Sequence, residues 1–225
     1  MIINLHAHFQ LSPEQTGLIN HPVQMDFHPE PDQYYSAGLH PWDLDVLMND
    51  KWLLSLEKII THPQVLAVGE CGLDRSIETP VDRQKAAFIS QVELAEKYTK
   101  PLILHAVRSY SDLLQIKKTR TGTVPWILHG YQGSPEITRQ LIGQGFCFSF
   151  GAALLNDQEK LNSSLRLVPP DHLFFETDDK MVPIESIYIF ASSVTGITPA
   201  ELKANVSRNF CTIFKKWETG RNEQL

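Results

Sequence analysis

His6 and His8 stand two residues apart at the end of the apolar run that opens the chain, "MIINLHAH". Residues two apart in a strand point to the same side, so both imidazoles are expected on one face. A barrel interior normally takes Val, Ile or Leu there, and an imidazole buried without partners costs about 1–3 kcal/mol for each unpaired polar atom. A shared metal ion removes that cost. Glu70 ends "VLAVGE", His105 ends "PLILH", His129 ends "PWILH" and Asp178 ends "LFFETD". Four imidazoles and two carboxylates are too many for one catalytic zinc, which takes three protein ligands and a water. They suit two divalent ions about 3.5–4 Å apart, with a carboxylate bridging and a water between them. Two divalent cations outweigh two carboxylates, so the position is net positive. It is a local attractor for phosphate in a chain whose formal net charge is −6.

Short apolar strands must carry these residues. The sequence offers "IINLH", "GLINHP", "YYSAGLH", "VLAVGE", "PLILH", "PWILH", "GFCFSF" and "HLFFETD". Continuous apolar runs of this length read as strands buried on both faces, as in a parallel sheet. Helical patterns lie between them. "DRQKAAFISQVELAEKYT" and "SYSDLLQIKKT" are two; "SPEITRQLIGQG" opens on Ser134 as an N-cap, and "TPAELKANVSRNFCTIFKKW" opens on Thr198-Pro199. Strand–helix alternation over residues 1–225 implies one α/β domain, a distorted (β/α)8 barrel; a doubly wound open sheet is the runner-up. About a dozen residues separate each of the first three strands, too few for a full crossover helix with its loops. The first two outer helices are therefore expected to be shortened or absent. The wall so bared needs cover, either from Pro22, Phe27, Pro29 and Pro31 folded down as a flap or from a second copy of the chain.

Composition bounds the class. The chain has 225 residues, 42% hydrophobic and 20% charged, as in an ordinary globular protein. Its three cysteines, Cys71, Cys147 and Cys211, fit a reducing cytoplasm better than a disulfide framework. No secretory leader and no membrane-length apolar run is read, so no membrane partner is expected. The acidic balance argues against a broad nucleic-acid-coating surface.

Taken together, "HAH", "GLHPW", "AVGECGLD", "QKAAFISQVELAEKYTKPLILH", "HGYQGS", "FFETD" and "NVSRNF" resemble the TatD family of metal-dependent deoxyribonucleases, within the amidohydrolase-like barrels. The resemblance runs nearly end to end. It implies a distorted eight-stranded barrel that hydrolyses DNA phosphodiester bonds with two divalent ions, magnesium, manganese or zinc. Carried over, it implies that His6, His8, Glu70 and Asp178 hold one ion, and that Glu70, His105 and His129 hold the other. Asp178 would also take the proton from the attacking water, and DNA or a nucleic-acid fragment would be the substrate of a monomer or homodimer. The chain departs from the family pattern at Asn4, where Asp is usual, at Gly130-Tyr131, where "HCF" is common, and at Asp179-Lys180, where a small residue and Pro are favoured.

Other side chains are candidates for substrate. His40 closes "GLHPW" at the same mouth, Arg108 could fork onto a phosphate, and Trp42 and Tyr131 could stack a base. Asp74 reads as ordering its loop, Cys71 as core, and Asn205 and Arg208 as fixing the barrel floor. A metal-dependent hydrolase of a small amide or ester, on the same barrel, is the competing function, and a catalytically inactive scaffold is a third.

Overall fold

The computed structural model describes residues 1–45 and 51–214. Eight strands form one parallel sheet in sequence order: β1 (Ile2–Ala7), β2 (Gln15–Pro22), β3 (Tyr35–Gly38), β4 (Val65–Asp74), β5 (Leu102–Val107), β6 (Trp126–Leu128), β7 (Phe146–Phe150) and β8 (Leu173–Phe175). The expected barrel is present and the open sheet is excluded, because the last strand returns to the first. Ala7 bridges Asp178 in parallel, with His8 N–H donating to Asp178 O at 3.2 Å and Asp178 N–H to His6 O at 3.0 Å.

Helices cover the outside: α1 (Trp52–Ile60), α2 (Val81–Tyr98), α3 (Tyr110–Lys118), α4 (Pro135–Ile142), α5 (Glu159–Leu167), α6 (Ile184–Thr195) and α7 (Pro199–Ile213). Thr198 and Glu201 cap α7 reciprocally. The pattern read for α7 runs on to Trp217, which lies outside the described residues. Helices α1, α5 and α6 are not predicted by the sequence pattern. In α6 the run "IYIF" has strand-like composition, which hides the buried stripe Ile184, Ile187, Tyr188 and Ala191 at helical spacing. Asn205 and Arg208 do not fix the floor. They bond weakly to each other at the surface, 3.4 Å apart, while Asn209 donates to Pro170 O and Leu173 O at 2.7 and 3.0 Å. None of the helices among the described residues is long and apolar enough to cross a membrane.

Residues 8–14 and 23–34 contain no helix, as the short spacings require. The segment between β2 and β3 lies down as a flap instead. Phe27 meets the rings of His21, Tyr35 and His62 at 4.9, 5.2 and 5.3 Å. Gln64 donates to Glu30 O and Gln33 O, and Tyr35 OH accepts from Glu30 N–H. Gly17, Leu18 and Ile19 at the centre of β2 are buried.

Asn4 closes the seam between β1 and β8. Its Oδ1 accepts from Thr177 N–H at 2.9 Å and its Nδ2 donates to Thr177 Oγ1 at 2.9 Å. Asn4→Ala leaves a buried backbone N–H unpaired at the weakest-paired joint of the sheet. The expected loss is about 1–3 kcal/mol, read as a lower denaturation midpoint. An unchanged midpoint would show that the seam does not depend on this latch.

Candidate metal centre

Glu70 sits on β4 where the strand breaks register. Gly69 and Gly72 flank it with φ of +138° and +145°, in a region that favours glycine. A Cβ on either would fall 2.3 Å from Ile103 O or 2.1 Å from His105 O. These glycines let β4 lie directly against β5. The strand then runs on to Asp74 and carries Glu70 into the barrel, where it is 5% exposed.

Five imidazoles surround that carboxylate. Oε1 lies 2.7 Å from His129 Nε2, 3.0 Å from His105 Nδ1 and 3.1 Å from His40 Nε2. Oε2 lies 3.4 Å from His6 Nε2 and 3.5 Å from His8 Nε2. Asp178 Oδ1 faces His8 Nε2 at 3.3 Å and His6 Nε2 at 3.7 Å. All six side chains that the sequence singles out as metal-capable converge, in three adjoining groups: His6–Glu70–His129, His6–His8–Asp178, and Glu70–His105 with His40. Asp178 has φ +55°, an uncommon backbone for a residue other than glycine that Asp and Asn tolerate best. The two main-chain bonds to His6 and His8 hold it there.

The charges fit a cation. Burial pushes the Glu70 carboxyl up, but the His129 charge and hydrogen bonds from His105, His129 and His40 outweigh it and hold the group well below the usual range. Burial likewise raises Asp178, and His8 together with the His129 and His6 charges overcomes it. Contacts with Asp178 and then Glu70 lift His8 to about 9. Two ionised carboxylates in a low-dielectric mouth bind protons on histidine or a divalent ion in their place. His6 is the sharper test. It is fully buried, and among the described residues no hydrogen bond reaches either ring nitrogen. An orphaned imidazole inside a barrel, aimed at two carboxylates, fits a metal ligand.

A model of the TatD related DNase family matches residues 24–215. The chain belongs to the TatD-related DNase family. Similar proteins include the uncharacterized metal-dependent hydrolase YabD of Bacillus subtilis, 32% identical over 148 residues that cover 64% of this chain and 58% of that protein. The 3'-5' ssDNA/RNA exonuclease TatD of Cronobacter turicensis is 30% identical over 148 residues, 64% of this chain and 56% of its own length. The chain thus spans somewhat more than half the length of these relatives. The uncharacterized metal-dependent hydrolase YcfH of Escherichia coli K12 is 28% identical over 198 residues, 80% of this chain and 73% of YcfH. Among solved structures, YJJV, a TatD homolog from Escherichia coli K12, superposes with a TM-score of 0.82 at 21% identity, over 95% of this chain and 98% of that one. At that identity the likeness is one of fold.

Within this TatD-family barrel the four candidate substrate residues separate. Trp42 is 61% exposed at the mouth, its indole N–H donating to Asp74 Oδ2 at 2.7 Å and its ring against those of His40 and His105. Arg108 is exposed after β5 at φ +51°. His40 turns inward. Its Nδ1 accepts from Trp42 N–H, so in the neutral ring Nε2 carries the proton and donates toward Glu70. That tautomer makes it a donor rather than a ligand, although it groups spatially with Glu70 and His105. Tyr131 does not face the mouth and cannot stack a base. Gly130 turns the chain at φ +52°, and Tyr131 is 1% exposed among Phe148, Phe150 and Tyr110, its hydroxyl bonded to Thr138.

The sequence assigns neither Asp74 nor Glu176 to the centre, yet both reach its imidazoles. Asp74 does order its loop, through Ser76 N–H at 2.8 Å, but its Oδ2 also lies 3.1 Å from His105 Nε2. Burial would raise its carboxyl, and bonds from Ser76, Trp42 and His105 bring it to about 2. Glu176 Oε1 lies 3.2 Å from His129 Nδ1 and accepts from Gly130 N–H. Their spacing carried the signal: Asp74 lies four residues past Glu70 on β4, and Glu176 follows directly on β8, two residues before Asp178.

Proposed function

We propose that the chain is a divalent-metal-dependent phosphodiesterase that cleaves DNA, or a single-stranded nucleic-acid fragment, with a water deprotonated by Asp178. The observation that carries this reading is the buried Glu70 carboxylate ringed by imidazoles, with Asp178 beside it at the open end of the barrel. The TatD relative of Cronobacter turicensis, a 3'-5' ssDNA/RNA exonuclease, supplies the substrate class.

His6, His8 and Asp178, with Glu70 Oε2, would hold one ion; Glu70 Oε1, His105 and His129 would hold the other. Four imidazoles suit zinc better than magnesium, which prefers oxygen donors. Bound there, divalent ions would supply Lewis acidity, polarising a phosphoryl oxygen and lowering the pKa of an attacking water. The chain's own groups do the rest. Asp178 is ionised and partly exposed, so its carboxylate can accept the water's proton. His40 offers its Nε2–H toward the same centre, as a donor for a phosphoryl oxygen. Arg108 provides a guanidinium at the rim.

The test is hydrolysis of end-labelled single- and double-stranded DNA and single-stranded RNA. Cleavage is expected to vanish with chelator and return with zinc, manganese or magnesium. Cleavage unaffected by chelator, or release of acid or ammonia from amides and esters without any nuclease activity, would overturn the reading.

Trp42 gives a second expectation. A base stacked on its open face is worth about 1–3 kcal/mol, so Trp42→Ala should raise KM for single-stranded DNA by roughly 5- to 150-fold. Its kcat should change less. Trp42→Phe keeps a ring and should recover much of the loss. An unchanged KM in Trp42→Ala would remove Trp42 from substrate binding.

A further inference from the structure

The histidines of the centre are not held alike. His105 meets Glu70 through Nδ1, and its far nitrogen, Nε2, is backed by Asp74 at 3.1 Å. His129 meets Glu70 through Nε2, and its far nitrogen, Nδ1, is backed by Glu176 at 3.2 Å. Asp74 and Glu176 are both fully buried. Each can only accept while ionised, so each fixes the proton on the outer nitrogen and leaves a lone pair aimed inward. Backing by a carboxylate also raises the basicity of the imidazole.

Among the described residues nothing comparable stands behind His6 or His8. His6 Nδ1 is buried without a hydrogen-bond partner among the described residues. The polar atoms of Asn4, two residues earlier, are committed to Thr177 and Gln15. His8 is 41% exposed, and its ion pairs to Asp178 and Glu70 both run through the inward Nε2. On this side a ligand must fix its own tautomer and orientation when an ion binds.

We propose that Asp74 and Glu176 are positioning residues that rank the two ion positions, so that the first ion loads at Glu70, His105 and His129, and the position at His6, His8 and Asp178 fills second and more weakly. The ranking rests on the two-ion reading above. Groups of this kind usually change metal affinity about 10- to 100-fold, and two of them serve one position while none serves the other. The wedge between the two affinities is therefore expected to be at least tenfold. One ion stays resident, and the one beside Asp178 exchanges with the medium.

The measurement is calorimetric titration of metal-free, full-length protein with zinc and, separately, manganese; neither readout depends on activity. Wild type should take up two ions in resolved steps. His8→Ala should delete the weaker step and leave the tighter one. Asp74→Asn should weaken the tighter step about 10- to 100-fold and leave the other in place. Glu176→Gln makes the same test through His129, independently of whether Asp74→Asn folds. General loosening of the fold would weaken both steps together, so selective loss separates positioning from mere structure. Two steps of equal affinity, or loss of the tighter step in His8→Ala, would overturn the ranking while the two-ion reading stands. A single step in wild type would overturn the two-ion reading itself, and the ranking with it.

Discussion

Asp178→Asn should lower kcat about 10²- to 10⁴-fold, the usual range for removing a positioned proton acceptor, while the barrel stays intact. The amide cannot take a proton from water, and its oxygen is a weaker ligand than a carboxylate. The substitution is structurally mild for reasons specific to this position. Asp178 is held at φ +55° by two main-chain bonds, to His6 O and from His8 N–H, and neither uses the side chain. Asparagine tolerates that backbone as well as aspartate does. The side chain is 32% exposed, so no packed cavity opens. The variant should therefore melt within a few degrees of wild type and fail in turnover. Its KM should move much less. A kcat near that of wild type, measured with metal in excess, would remove Asp178 from the proton transfer.

The centre was legible in the sequence because a parallel barrel sends strand ends to one face. His6, His8, Glu70, His105, His129 and Asp178 each close an apolar run, and topology alone brings such ends together. The missing outer helices were legible by chain length. Residues 8–14 and 23–34 cannot hold a crossover helix, and the structure has none there. What escaped notice depends on local backbone. Asp74 reads as a loop residue if β4 is taken to stop at Glu70, but the strand continues through Gly72 and delivers Asp74 to His105. Tyr131 reads as a mouth residue because it follows His129 by two. The turn at Gly130 sends it instead into the aromatic core. His40 reads as a residue of the mouth, and only its hydrogen bond from Trp42 N–H fixes which nitrogen faces Glu70.

Glu70→Gln is expected to be the most damaging single change in the protein. One carboxylate faces five imidazoles, and its two oxygens divide them: His40, His105 and His129 on Oε1, His6 and His8 on Oε2. Glutamine keeps the shape but not the function of that divide. One of its two polar atoms becomes an NH₂, which turns a donor toward nitrogens that must present lone pairs. It also removes the charge that the two proposed ion positions would share. Metal content after dialysis should fall below one ion per chain, and hydrolysis should drop by more than the about 10²- to 10⁴-fold expected for loss of the proton acceptor alone. Stability should change even without metal. Glu70 has a lowered pKa in the fold, so its contribution is fully present above the ordinary carboxylate value of 4.5 and is lost as pH falls through the folded value. His129 is raised, because the Glu70 and Glu176 charges outweigh burial; its share is present at and below 6.5 and is lost as pH rises through its folded value. The pair is therefore strongest between the two ordinary values, 4.5 and 6.5. Metal-free Glu70→Gln should be less stable than metal-free wild type there, by on the order of 3 kcal/mol, as when one partner of a buried pair is removed. The gap should close as acid protonates the wild-type carboxyl. Denaturant titrations of both metal-free proteins across that range would show it. A gap that is constant with pH would mean that the Glu70 carboxylate carries no ionic share of the stability. Retention of two ions by the variant would show that Glu70 does not bridge them.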